Sequence, residues 1–162
     1  MKTQNPPFTL RFTSSDIGCI IDCSYRSADD FNRRLIGFAA DYGFGVDVDT
    51  RKLLSRFEYD VTLGDDSETL SLVADEAMDY LQDAELPPYC YFIIDDNSLF
   101  LAPCVENAQE DVGFVSSKDA EYPDDDYEGE WLHVNDHGNA TLYCRGLDGD
   151  GKVQDDEIWS IV

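Results

Sequence analysis

Residues 58–162 carry 28 Asp and Glu against three basic residues, Lys118, Arg145 and Lys152, whereas residues 1–57 hold seven acidic and eight basic side chains. The whole formal charge of −24 therefore belongs to the last two-thirds of the chain. Any compact fold of this sequence works against its own charge, since each like pair about 4 Å apart costs ~1 kcal/mol even at the dielectric of water. That cost needs an offset, and a function is the natural one. A negative surface steers cationic partners, repels nucleic acid and anionic membrane, and competes for sites built to bind phosphate.

At 162 residues the chain fits one domain, near-neutral over 1–57 and strongly acidic over 58–162. Apolar residues make up 43% and aromatics 12%, too many for an acidic disordered tail, so the charge decorates a fold. The N-terminus has no apolar run fit for a signal peptide, and nowhere do about 18 consecutive apolar residues form a membrane span. Five cysteines, an odd number in strand-like settings, read as buried thiols of a reducing compartment. The expectation is a cytoplasmic protein with no membrane partner.

Phe8, Leu10 and Phe12 alternate with polar residues, as do Ile17, Cys19, Ile21, Cys23 and Tyr25 after a turn at 14–16, which predicts an N-terminal hairpin. Ser27 caps a helix over about 28–42 that ends at Gly43, and Asp49 caps a short one to Phe57. A half-buried strand is expected over 57–63, then a helix over about 67–84 stopped before Pro87-Pro88. Residues 89–94 and 99–102 flank a four-residue hairpin connection at 95–98, and 112–115 reads as a short strand. After a charged loop at 123–130 the tail reads as a three-stranded β-meander over 131–135, 140–145 and 158–162. The fold class expected is α+β, with antiparallel sheet and two main helices.

Asp75, Asp79 and Asp83 recur at i, i+4 and i+8, placing three carboxylates on one helix face about 6 Å apart along the axis. Glu68, Glu76 and Glu85 lie near, and no Lys or Arg occurs between Arg56 and Lys118 to relieve them. A solvated helix face is the ordinary reading; occupation of Arg and Lys sites shaped for phosphate is the functional one. Asp65-Asp66, Asp95-Asp96, Asp119 with Glu121, Asp124-Asp125-Asp126 with Glu128 and Glu130, and Asp155-Asp156-Glu157 are further clusters, placed in loops or strand ends. Arg33-Arg34 and Arg51-Lys52 with Arg56 are expected to pair with the protein's own acids.

Aligned on an EF-hand loop, Asp148, Asp150, Gly151, Val153 and Glu157 take positions 3, 5, 6, 8 and 12, but Gly146 replaces the first ligand and the flanks read as strands. An Asp- and Gly-rich hairpin turn is the better account, with calcium at Asp148, Asp150 and Glu157 as the subordinate one. His133, His137 and Cys144 supply three zinc-type ligands without a fourth. No nucleophile elbow, P-loop or dinucleotide fingerprint occurs, so neither enzyme nor cofactor is expected.

The tail from Trp131 to Cys144 with Glu157 to Val162, and the stretch from Ala74 to Leu81 followed by Pro88-Tyr-Cys-Tyr-Phe, resemble small acidic proteins of proteobacterial phages, plasmids and other mobile elements. The resemblance implies a mobile-element setting, where similar small acidic proteins act as antirestriction or anti-CRISPR factors, some by mimicking DNA. The expected partner is a basic nucleic-acid-binding protein, such as a CRISPR effector or restriction enzyme, in the bacterial cytoplasm, with no direct binding of nucleic acid. The expected contact residues are Asp75, Glu76, Asp79, Asp83 and Glu85, with Asp124, Asp125, Asp126, Glu128 and Glu130. The alternative is an acidic phage or plasmid interaction module or regulator that binds a basic host protein without resembling DNA.

Overall fold

Ser27 opens the first helix of the computed structural model, which describes residues 10–56, 66–117 and 121–162. Its hydroxyl accepts the Asp30 N–H at 3.2 Å, and α1 runs over Ala28–Asp41. Phe44 N–H returns to the Ala39 carbonyl at 2.9 Å, a reversal that Gly43 permits with φ of +104°. Helix α2 covers Val48–Arg56, and its cap is Asp47 instead of the expected Asp49: the Asp47 carboxylate accepts the Thr50 N–H at 2.7 Å. Helix α3 covers Asp66–Gln82 and buries Leu70, Ala74, Ala77 and Leu81, the stripe its spacing predicts. Ser67 at its start donates to Asp29 of α1 at 2.6 Å. The strand expected over 57–63 lies outside the described residues, as do Phe8 and Asp119.

Among the described residues the predicted N-terminal hairpin does not form. Strand β1, Gly18–Ile21, pairs antiparallel with β3, Ser98–Pro103, which also pairs with β2, Cys90–Asp95, in the order β1-β3-β2. Residues 14–16 form a 3-10 turn, and the chain around Arg11 instead meets Glu85: Phe12 N–H reaches the Glu85 carbonyl and Glu85 N–H the Leu10 carbonyl, both at 2.8 Å. Ring packing explains the choice, because Phe12 is buried against Phe38, Tyr42 and Phe92, with centroids 5.0–6.3 Å away. The β2–β3 turn is tighter than predicted, with Asp96 and Asn97 both at positive φ, the geometry of a two-residue primed turn.

Helix α4, Val105–Asp111, is absent from the sequence expectation. It precedes β4, Phe114–Ser116, one strand of a sheet ordered β4-β5-β6-β7 with β5 at Gly129–Val134, β6 at Ala140–Leu147 and β7 at Val153–Ile161. The last three are the predicted meander, each longer than expected. Strand β4 runs parallel to β5, so this sheet is mixed. The α+β class holds, with four helices and two sheets among the described residues.

The chain divides into two compact units: one takes the described residues up to Leu86 with Tyr91–Ala102, the other takes Pro87–Cys90 with those of Pro103–Val162. The first unit includes residues from both sides of the charge boundary at 57/58, so packing and charge divide the chain differently. No helix among the described residues is long and apolar enough to cross a membrane.

In the first unit, the Gln82 side chain donates to the Phe92 carbonyl at 2.7 Å and accepts the Phe92 N–H at 3.2 Å, covering the backbone of the edge strand β2 as a neighbouring strand would. Gln82→Ala leaves both groups without these partners. It is expected to cost about 1–2 kcal/mol and to accelerate amide exchange at Phe92, read by denaturant unfolding and hydrogen exchange.

Candidate functional site

At about 100° per residue, Leu72, Asp75, Glu76 and Asp79 fall on the side of α3 opposite Leu70, Ala74, Ala77 and Leu81, and Asp83, just past its end with its N–H on the Asp79 carbonyl at 3.2 Å, continues that side. All five are exposed. Among the described residues no ion pair reaches Asp75, Glu76, Asp79 or Asp83. The described cations of the first unit are engaged elsewhere. Arg26, Arg33 and Arg34 converge on Asp30 at 2.8–3.3 Å, Lys52 pairs with Asp49 at 2.9 Å, and Arg56 with Asp66. Burial would raise the Asp30 carboxyl, but the Arg33 hydrogen bond and the three guanidinium charges hold it below its usual range. Glu85 departs from the expected stripe: its backbone bonds Leu10 and Phe12, and its carboxylate lies 3.6 Å from Arg11.

The second acidic surface belongs to the other unit. Parallel strands need a crossover of a dozen or more residues, and the connection from β4 to β5 is that crossover, its described part being 117 and 121–128. Arg145 fixes it to the sheet. The residue is 6% exposed, and its guanidinium donates to the Pro123 and Asp124 carbonyls and clasps Asp155 through Nε at 2.8 Å and Nη2 at 2.7 Å. Trp131 Nε1 donates to the same carboxylate at 2.9 Å, and the Trp131 ring stacks on Tyr143 with centroids 4.6 Å apart. The Arg145 hydrogen bond holds the Asp155 carboxyl below its ordinary range and, reciprocally, raises the guanidinium.

The loop's remaining anchors are aromatic. Tyr122 meets Trp131 edge-on at 5.8 Å, and the Tyr127 hydroxyl donates to the Glu130 carbonyl at 2.6 Å. That hydroxyl lies 2.6 Å from where a Cβ would stand on Gly113, so a side chain at 113 would displace it. With these groups turned to the sheet, Asp124, Asp125, Asp126 and Glu128 are left exposed, and among the described residues none enters an ion pair. Glu130 is different: it is half-buried on β5 and accepts the Tyr89 hydroxyl at 2.9 Å. Burial and this carboxylate push Tyr89 up to about 12. Glu130 holds the fold together and does not belong to the exposed array.

Asp155, Asp156 and Glu157 lie within β7, not in a loop or at a strand end. The calcium alternative loses its geometry for the same reason. Asp148 accepts the N–H groups of Asp150 and Lys152 at 2.9 and 2.8 Å, closing the turn, while Glu157 sits opposite Tyr143, about 13 Å along the strand from the Val153 end at 3.3 Å per residue. His133 pairs with Thr141 on the sheet and Cys144 with Glu130, and among the described residues no three His, Cys, Asp or Glu side chains are placed to hold a metal.

Arg145 is the residue that sequence reasoning passed over. As the only arginine after Arg56, alternating with Tyr143 on a strand, it carried a signal that composition alone buried. No family model, no curated protein and no solved structure matches the chain.

Because the folded Asp155 carboxyl titrates below its unfolded value near 3.9, its contribution to stability is present above that pH and is lost as pH falls through the folded value. The stability gap between the native chain and Asp155→Asn is therefore expected to be widest near neutrality and to narrow below about pH 4, measured by urea unfolding across the acid range. Arg145→Met, which strands Asp155, is expected to cost about 3 kcal/mol and to free the 121–128 loop for proteolysis.

Proposed function

We propose that the protein is a non-enzymatic inhibitor of a bacterial nucleic-acid-targeting defence system, anti-CRISPR or antirestriction, encoded by a mobile element and acting in the host cytoplasm. It occupies the Lys- and Arg-lined surface on which the effector holds its nucleic acid. The observation that carries this reading is the α3 face: Asp75, Asp79 and Asp83, one turn apart and exposed, with Glu76 beside them and no described cation paired to any of the four. A duplex offers a phosphate charge every ~1.7 Å of axis, and a groove built to grip it accepts fixed carboxylates by the same electrostatics. The pinned loop at 124–128 supports the reading as a second rigid negative surface, since ordering costs already met in the free protein are not met again on binding.

Leu72 favours the other reading, an acidic module that grips a basic host protein without imitating DNA. It is 61% exposed on the same face as Asp75 and Asp79, and an apolar side chain there adds contacts that salt does not screen.

The purified chain, added to a panel of restriction endonucleases and RNA-guided nucleases, is expected to block DNA binding by one of them in competition with the DNA. The apparent affinity is expected to fall steeply as salt rises. Asp79→Lys with Asp83→Lys should weaken inhibition roughly tenfold or more with an unchanged melting temperature. Inhibition indifferent to both salt and charge reversal, yet abolished by Leu72→Ala, would replace the mimic with the apolar module.

A further inference from the structure

The described residues leave four strand edges, and three are closed or short. Gln82 covers β2 at Phe92, β4 has three residues, and β1 has four with an irregular register between Cys19 and Ile21. Strand β7 has nine residues and pairs with β6 alone, and no other described residue bonds its backbone. The Asp148 N–H donates to the Lys152 carbonyl at 2.8 Å, which sets the alternation of the ladder: bonded pairs recur at Gly146 with Gln154 and at Cys144 with Asp156. The N–H and C=O groups of Val153, Asp155 and Glu157 then face away from β6. The register shift between Leu142 and Tyr143, which skips Ile158, ends this regular stretch.

We propose that residues 153–157 of β7 receive an extended basic segment of a partner protein as an added antiparallel or parallel strand. Main-chain hydrogen bonds to the three outward-facing residues supply affinity, and side chains supply the choice of partner. Asp155 is neutralised by Arg145 and attracts nothing further. Asp156 and Glu157 are exposed and, as neighbours on a strand, project to opposite faces, so the incoming strand needs two consecutive basic residues, one on each face. A second copy of this chain is the wrong occupant. Its unit carries sixteen acidic and three basic residues, and edge-to-edge pairing would bring like charges opposite one another. Strand β7 belongs to the other unit than α3, and the inference does not rest on DNA mimicry.

The test uses the whole chain, isotope-labelled for NMR and titrated with the blocked peptide Thr-Val-Lys-Arg-Val-Thr. Amide exchange at Val153, Asp155 and Glu157 should slow at least tenfold on saturation, while Gln154 and Asp156, already bonded to β6, should change little. A peptide of the same sequence with N-methyl groups on alternate residues keeps the charge and loses the donors, and should bind at least tenfold more weakly. Asp156→Lys with Glu157→Lys should reverse the preference toward Thr-Val-Glu-Asp-Val-Thr, which also shows that the variant folds. Equal binding of the methylated peptide, or no slowing at the three amides at millimolar peptide, would overturn the proposal and leave the acids as guards of an unused edge.

Discussion

A single buried guanidinium organises the second unit of this protein. Arg145 stands on the inner strand β6, where among the described residues its ion-pair partner is Asp155, on the neighbouring β7, and its Nη1 donates to two backbone carbonyls of the β4–β5 crossover. The choice of carbonyls as acceptors matters. Had the guanidinium paired with the side chains of Asp124 or Asp125, it would have cancelled the charge it orders; by holding the backbone it fixes the loop and leaves the carboxylates in water. Trp131 completes the arrangement from below, giving its indole N–H to Asp155 and its ring face to Tyr143, with the guanidinium 5.9 Å from its ring centre.

Helical periodicity carried over to the structure where it was long and capped, as in α1 with Ser27 and Gly43, and in α3 with its stripe of Leu70, Ala74, Ala77 and Leu81. The meander was equally legible, because Trp131, Leu142 and Trp159 alternate with polar residues and the turns at 136–139 and 148–151 have turn chemistry. Non-local pairing partners were not legible. Strand β1 chose β3, some eighty residues away, because burial of Phe12 against Phe38, Tyr42 and Phe92 took the preceding segment out of reach of a local hairpin. Helix α4 escaped notice because seven residues show no full apolar period, and its cap is the Cys104 sulfur, which accepts the Asn107 N–H at 3.5 Å.

The acidic residues separate into two populations once partners are known. Asp30, Asp47, Glu130, Asp148 and Asp155 each accept identifiable donors and serve caps, turns or the packing of buried hydroxyl and guanidinium groups. Asp75, Glu76, Asp79, Asp83, Asp124, Asp125, Asp126 and Glu128 have no described ion pair. Sequence clusters mixed the two, since Asp155 and Asp156 are adjacent in the chain while only the first is engaged by Arg145. Partnership, not proximity in sequence, marks which carboxylates the fold consumes.

This separation gives the charge excess its physical meaning. Structural carboxylates repay their burial with hydrogen bonds, and the structure would lose nothing local if the exposed set were replaced by a mixture of Lys and Glu, the usual way a helix face of this kind relieves its i, i+4 repulsion. The self-repulsion of the α3 face is therefore a cost that the packing of Leu70, Ala74, Ala77 and Leu81 carries with no described cation to relieve it. In the proposed inhibitor, cations of the partner supply that relief. Because the α3 carboxylates stand on a helix whose opposite side buries Leu70, Ala74, Ala77 and Leu81, the cations of the proposed partner would have to match a spacing set by the protein.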